Sequence, residues 1–249
     1  MKPSLGADLL DLLLPAGCVA CGAWMPARVA ASFLCGRCKS RLQVAPWPRC
    51  PRCHFPRGAG RAGAPDCIEC RSWSPALGAA RFAYVLAHPA DDLVHALKYE
   101  GWPELASMMG REVARLDLPP GTLDGPCVVV SVPTTARRRR TRGYNQAELL
   151  AENVAGPLGL PLCRALVRVS EGRSQTALTP TERRENVRGV FAPASPPDPR
   201  VAGARVLLVD DVLTTGATAS EAASALVDMG ARAVTLLAFA RALPGGRRT

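Results

Sequence analysis

Residues Val206–Thr218 read VLLVDDVLTTGAT, and this stretch decides the fold class. The apolar run Val206–Val209 is the signature of a buried strand. Its carboxyl end delivers two adjacent carboxylates, Asp210 and Asp211. A Thr214-Thr215-Gly216-Ala217-Thr218 turn then leads into a helix over 217–229, which Gly230 ends. Backbone N–H groups at a helix start converge on an anion and the local dipole favours negative charge. The hydroxyls of Thr214, Thr215 and Thr218 add donors, and Gly216 lets the backbone approach a ligand closely. The turn is therefore a candidate phosphate cradle at a strand's carboxyl end, where open α/β sheets bind their ligands. Two carboxylates would repel the phosphate itself, so they need another partner. Vicinal ribose hydroxyls are donors that carboxylates accept from strongly. A bare Asp-Asp at a strand end would otherwise be a turn or a helix cap.

Outward from this stretch, apolar runs alternate with helical patterns. Strands are expected at Arg81–Leu86, Cys127–Val132, Leu162–Val169, Arg205–Val209 and Ala233–Ala240. Helices are expected at Asp91–Leu97, Pro103–Leu116 and Tyr144–Ala155, the last stopped by Gly156-Pro157. This rhythm implies an α/β domain with a mostly parallel sheet covered on both faces. Ser170–Arg188, polar and Arg-rich, and Ala192–Gly203, with four prolines, fit neither type. Long irregular connections in a compact domain are often lids over a site, the alternative being simple disorder.

Upstream the texture changes, and a domain boundary falls near 72–79. Cys18/Cys21, Cys35/Cys38, Cys50/Cys53 and Cys67/Cys70 form four C-x-x-C pairs. The 17-residue interval from Cys18 to Cys35 recurs from Cys50 to Cys67, an internal repeat offset by 32 residues. Each knuckle aims two thiolates at one ion, and two knuckles complete a tetrahedral structural zinc. Eight cysteines thus predict two zincs with no open position for catalysis. The repeat favours the sets 18/21/35/38 and 50/53/67/70, while a cross-braced pairing, or one zinc with spare thiols, uses the same residues. A redox-active C-x-x-C is the competing reading, but four pairs without a thioredoxin-like context favour zinc. Cys127 and Cys163 lie outside the pattern and read as small core residues.

The 249 residues carry 31 Lys plus Arg against 21 Asp plus Glu, a formal net charge of +10. With 48% hydrophobic and 21% charged residues, the composition excludes wholesale disorder. The apolar run Leu9–Leu14 contains Asp11 and ends at Pro15, far short of the ~20 residues that span a membrane. Neither membrane insertion nor a secretory signal is expected, and a cytoplasmic location is. Ser131-Val132-Pro133-Thr134-Thr135 follows the strand at 127–132. Its amides emerge beside the aspartates if that strand is parallel to 205–209, which makes it a second candidate anion loop. Arg137, Arg138, Arg139, Arg140 and Arg142 then crowd five guanidiniums into six residues, and these repel one another unless an anion sits among them. Arg140 and Arg142 are favoured as anion contacts because Gly143 and the next helix fix them. A solvated loop or a nucleic-acid patch is the bland reading. His54, His88 and His95 show no partner spacing.

The stretch VLLVDDVLTTGAT resembles the phosphoribosyl pyrophosphate (PRPP) motif of type I phosphoribosyltransferases. With the cysteine knuckles, Leu97-Lys98-Tyr99-Glu100-Gly101, and Val132-Pro133 running to Arg142-Gly143-Tyr144-Asn145-Gln146, the whole chain resembles the ComF family of competence-associated phosphoribosyltransferase-like proteins. Gln175, Leu178, Arg183, Asn186 and Phe191 fit the family's connecting segment. Tyr144 stands where many relatives have Phe, and Ala217 where the wider class has a hydroxyl residue. The resemblance implies a type I phosphoribosyltransferase-like sheet (76–249) behind a double zinc-ribbon-like module (1–75). It implies PRPP as ligand, held by Val209, Asp210, Asp211, Thr214, Thr215, Gly216, Ala217, Thr218, Pro133, Thr134, Arg140, Arg142 and Lys98. It further implies Mg²⁺ with PRPP, Asp210 and Asp211 as catalytic residues, and pyrophosphate release to an unknown acceptor. The alternative is a binding protein that senses PRPP or a nucleotide and engages single-stranded DNA or a helicase-type competence protein, which the positive charge would suit.

Overall fold

A computed structural model describes residues 16–26, 33–58, 67–169 and 189–243. Strands β1 (Ala16–Gly17) and β2 (Trp24–Met25) pair antiparallel and bracket the first knuckle, and helix α1 (Gly36–Lys39) carries Cys38. The chain then runs through β3 (Leu77–Val85), α2 (Ala90–Tyr99), α3 (Leu105–Ala114), β4 (Cys127–Ser131), α4 (Ala136–Arg142), α5 (Gln146–Leu158) and β5 (Leu162–Cys163). Next come β6 (Leu166–Arg168) and β7 (Phe191–Pro193), which form a separate antiparallel pair. Strand β8 (Arg205–Leu213), helix α6 (Ala217–Asp228) and strand β9 (Ala233–Arg241) complete the described chain.

The main sheet has the order β3-β9-β8-β4-β5, and every pairing in it is parallel, as the alternating pattern predicts. Parallel strands need crossover helices, and these cover both faces. Val129, Leu207, Val209, Leu237 and Phe239 face α2, α3 and α5; Val128, Val130, Val206, Leu208 and Leu236 face α6. The chain leaves β4 toward β5 on one side and leaves β8 toward β9 on the other. The carboxyl ends of β4 and β8 therefore flank a topological switch point.

Several elements differ from the sequence expectation. Strand β3 starts at Leu77 instead of Arg81, and β8 continues through both aspartates because β9 accompanies it from Asp210↔Ala238 to Leu213↔Arg241. The arginine run is helix α4, not a loop. The Thr135 side chain accepts from the Arg138 N–H at its start, and Gly143, in the left-handed region at φ 82°, ends it. Helix α5 continues past Gly156-Pro157 to Leu158, since a proline that near the end removes one hydrogen bond from the last turn. The single strand expected over 162–169 is two, with Leu162–Cys163 in the main sheet and Leu166–Arg168 paired with β7. The proline-rich 192–203 stretch contains part of β7 and a 3₁₀ turn at Pro199–Val201. The 170–188 segment, with Gln175, Leu178, Arg183 and Asn186, lies outside the described residues, as does Leu9–Leu14.

The two ribbons pack on opposite faces of the sheet. Cys18, Cys38, Leu34 and Met25 join the core around α2, α3 and α5, while Cys50, Cys53, Cys67, Cys70 and Trp73 join the core around α6. The apolar cores of the ribbons are thus shared with the two faces of the sheet. Cys127 and Cys163 are buried in the same cores. Among the described residues, no helix is long and apolar enough to cross a membrane.

Candidate functional site

The sulfurs of Cys18, Cys21, Cys35 and Cys38 converge, as do those of Cys50, Cys53, Cys67 and Cys70, each group lying within 4.8 Å. Individual S···S separations are 3.8 Å for Cys21–Cys35, 3.9 Å for Cys50–Cys70 and 3.7 Å for Cys53–Cys67. A tetrahedron of Zn–S bonds of about 2.3 Å has edges of about 3.8 Å, which these three separations match. The sets are the sequential ones that the repeat favours. The second is wholly buried, whereas Cys21 is exposed and Cys35 half-buried. Burial disfavours the Cys18 and Cys50 thiolates, yet backbone N–H donors outweigh it, and their pKa values fall to about 6 and about 7. Four thiolates per centre leave no open coordination position, which is the pattern of structural zinc.

A separate cleft of about 360 Å³ opens at the switch point between β4 and β8. Strand β4 gives out after Ser131↔Val209, and its chain departs through Val132, Pro133 and Thr134, leaving Asp210 and Asp211 on a strand with one neighbour. Asp210, Asp211, Thr214, Thr218, Pro133, Thr134, Lys98, Arg138 and Arg142 all line the cleft. Val209 is buried in the strand beneath. Gly216 caps α6 in the left-handed region at φ 81°, and the Thr215 hydroxyl accepts from the Ala217 N–H.

Along a strand, Asp210 and Asp211 point to opposite faces. Asp211 is buried against α2, where Lys98 Nζ lies 2.6 Å from its Oδ2. Asp210 Oδ1 accepts from the Asp211 N–H at 2.9 Å. Burial, followed by the adjacent Asp211 charge, raises the Asp210 pKa well above the usual carboxylate range, and Lys98 opposes that shift only in part.

The Arg142–Gln146 motif acts as scaffolding for this cleft. The Tyr144 hydroxyl donates to the Leu97 carbonyl at 2.6 Å, beside Lys98. The Asn145 side-chain amide donates to the Val132 carbonyl at 3.2 Å and so holds the 132–135 loop. Arg142 donates to Gln146 Oε1 and lies 5.0 Å over the Tyr99 ring. Helix α4 divides its arginines: Arg138 and Arg142 face the cleft, and Arg137 joins them around an adjoining cavity of about 750 Å³ with Tyr99, Gly101 and Thr135. Arg140 lines neither space and is exposed, because a helix turns it away from Arg138 and Arg142. A loop reading of the run hides this alternation.

His88 and His95 have carboxylate partners, Asp92 at 2.7 Å and Glu100 at 3.0 Å, all of them solvent-accessible; the first is an i,i+4 pair, so His88, contrary to expectation, does have partner spacing. Sequence reasoning also missed Arg138 as a cleft residue, and Trp73, whose indole N–H donates to the Thr215 carbonyl from 142 positions away.

Residues 9–71 match the double zinc ribbon domain family. The chain is 30% identical over 238 residues to "DNA utilization protein YhgH" of Escherichia coli, covering 93% of this chain and 100% of that protein. It belongs to the ComF family. Further relatives are "Competence protein F" of Haemophilus influenzae, 28% identical over 85% of this chain and 98% of the relative, and "Competence protein ComFC" of Bacillus subtilis, 27% identical over 79% of each. This ComF-family chain thus pairs two four-cysteine zinc sites with a parallel-sheet α/β unit carrying an acidic and threonine-rich cleft.

Proposed function

We propose that the cleft binds PRPP with Mg²⁺ and that the protein transfers the phosphoribosyl group to an acceptor, releasing pyrophosphate. One observation carries this reading: the acid pair, the Thr214–Thr218 turn and the Pro133-Thr134 loop converge on one cleft at a topological switch point. In this reading the turn's amides and hydroxyls take the 5′-phosphate. Asp210 and Asp211 accept from the ribose 2′- and 3′-hydroxyls, and the 132–135 amides with Lys98, Arg138 and Arg142 receive the diphosphate. Mg²⁺ carried in on the diphosphate oxygens would sit within reach of the Asp210 and Asp211 carboxylates and would supply positive charge to the leaving group. A nucleophile forms its bond to ribose C1 as the C1–O bond breaks, through an oxocarbenium-like state, and the electron pair leaves on pyrophosphate. Lys98, held by Asp211 in the free protein, becomes available to that leaving group once the ribose engages the carboxylate.

A second reading rests on the outer face of α4, which adjoins the same cleft. Helix α4 exposes arginines beside Tyr99, 66% exposed, with Arg142 lying over its ring, a cationic and aromatic combination suited to stacking single-stranded DNA. The names of the relatives connect those proteins with DNA utilization and competence, and a cytoplasmic role in handling imported DNA, alone or with a helicase-type protein, fits both readings. Calorimetry with PRPP, followed by an acceptor screen scored by pyrophosphate release, tests the first. Salt-dependent binding of an oligonucleotide tests the second.

A further inference from the structure

The second zinc ribbon reaches into the candidate phosphate turn. Trp73 stands three residues after the ligand Cys70, and its Nε1–H donates to the Thr215 carbonyl at 2.8 Å. The indole lies so close to Gly216 that a Cβ there would sit 2.3 Å from Nε1 and 2.4 Å from Cε2. The turn therefore needs glycine twice, for its positive φ and for the indole's edge. Next along the chain, the Ser74 hydroxyl pairs with Ser224 at 2.8 Å and the Ser74 N–H donates to the Ser220 hydroxyl at 3.3 Å, fastening the same segment to α6.

Trp73 is in turn fixed by guanidiniums that touch the zinc knuckles. Arg52, between Cys50 and Cys53, donates to the carbonyls of Cys70, Ser74 and Leu77 at 3.1, 2.9 and 2.8 Å, and lies 5.8 Å from the Trp73 ring. Arg241, 1% exposed, donates to the Cys53 carbonyl and sits within 6 Å of the Phe55, Phe82 and Trp73 rings. It also lies opposite Leu213 in the β8–β9 ladder, just before the turn. A continuous path thus runs from the Cys50/53/67/70 centre through Arg52 and Arg241 to Trp73, and from Trp73 to the Thr215-Gly216 backbone.

We infer that Trp73 is a positioning residue for the anion turn and that the second ribbon acts as its splint, so that ligand affinity depends on the integrity of that ribbon. A turn whose N–H groups must aim at one phosphate loses affinity when its backbone wanders, and preorganisation of this kind is what the indole supplies. The affinity part of the inference rests on the PRPP reading; the turn-ordering part does not.

The test uses the full-length, zinc-loaded protein and its Trp73→Phe variant, which keeps an aromatic ring and loses the donor, with Arg52→Lys as a second variant that leaves the indole intact. Zinc content, amide hydrogen exchange in peptides spanning 213–220, and PRPP affinity by calorimetry are read together. The expected result is unchanged zinc content, faster exchange confined to the turn in both variants, and PRPP affinity about fivefold to tenfold weaker, the scale of one lost hydrogen bond. Wild-type exchange rates at 214–218 in zinc-replete, folded variants would overturn the inference. If wild-type protein fails to bind PRPP, the phosphoribosyl reading falls, while the exchange comparison still decides whether Trp73 orders the turn.

Discussion

Lys98 Nζ lies 2.6 Å from Asp211 Oδ2, with side chains 19% and 5% exposed, so the ligand-free cleft holds a nearly buried ion pair. Removing one member leaves the other charge poorly solvated. Lys98→Met should cost about 3 kcal/mol of stability, and adding Asp211→Asn should recover part of that loss. Denaturant melts of both single variants and the double variant measure the coupling; additive effects would mean that the pair contributes nothing.

The surroundings of Asp210 disfavour its charged form. Its raised pKa means that the folded protein binds that proton more tightly than the unfolded chain, so the favourable contribution is present at low pH and lost as pH rises through the folded-state value. Asp210→Asn mimics the neutral form. It should raise Tm near neutral pH, with the gain shrinking as pH falls toward the acid range, and it should abolish PRPP binding. A variant no more stable than wild type at pH 7 would contradict the burial and like-charge origin of the shift.

The two zinc centres differ in shelter, all four cysteines of the second being buried while Cys21 of the first is exposed. Metal analysis should give two zincs per chain. A chelator should remove them in two phases, the Cys18/21/35/38 zinc first, and global unfolding should accompany the slower phase because all four cysteines of the second site lie inside the α6-side core. A single phase would argue against independent centres.

Helices α3 and α5 meet at Gly110, where an added Cβ would stand 2.4 Å from Asn153 Cβ and 3.0 Å from the Leu150 carbonyl oxygen. Gly110→Ala should therefore destabilise the protein by about 1–3 kcal/mol, although alanine is the better helix former. A stabilised variant would mean that the two helices sit farther apart.

The exposed arginines of α4 should bind single-stranded DNA in a salt-dependent way, and Arg138→Ala with Arg139→Ala should lower the affinity and flatten the salt slope. An unchanged slope in a filter-binding or fluorescence titration would remove α4 from any nucleic-acid role.

The parts legible in the sequence share a property: their signal is local. The Cys18–Cys70 knuckles, the Val206–Thr218 strand-and-turn and the β-α alternation each declare themselves within a short window, and each reappears in the structure. What escapes a local reading depends on distant partners. Strand β8 extends to Leu213 because β9 runs beside it, and the 162–169 run divides because Leu166–Arg168 pairs with Phe191–Pro193. Helix α4 is hidden because five arginines lack an apolar stripe, although Thr135 and Gly143 cap it at both ends. Trp73 carries no local sign of its bond to Thr215, since it follows the last cysteine of the knuckles like any linker residue. Proximity to Gly143 favours Arg140 over Arg138, a criterion that the helical turn reverses.

A calorimetric titration of the zinc-loaded protein with PRPP, with and without Mg²⁺, bears most directly on the cleft between β4 and β8. Magnesium-dependent binding at one site per chain, lost in Asp210→Asn with Asp211→Asn, is the predicted result. No heat of binding in either condition, from protein shown to be folded and zinc-replete, would contradict the phosphoribosyl reading and leave the α4 surface and the zinc ribbons as the functional parts of the molecule.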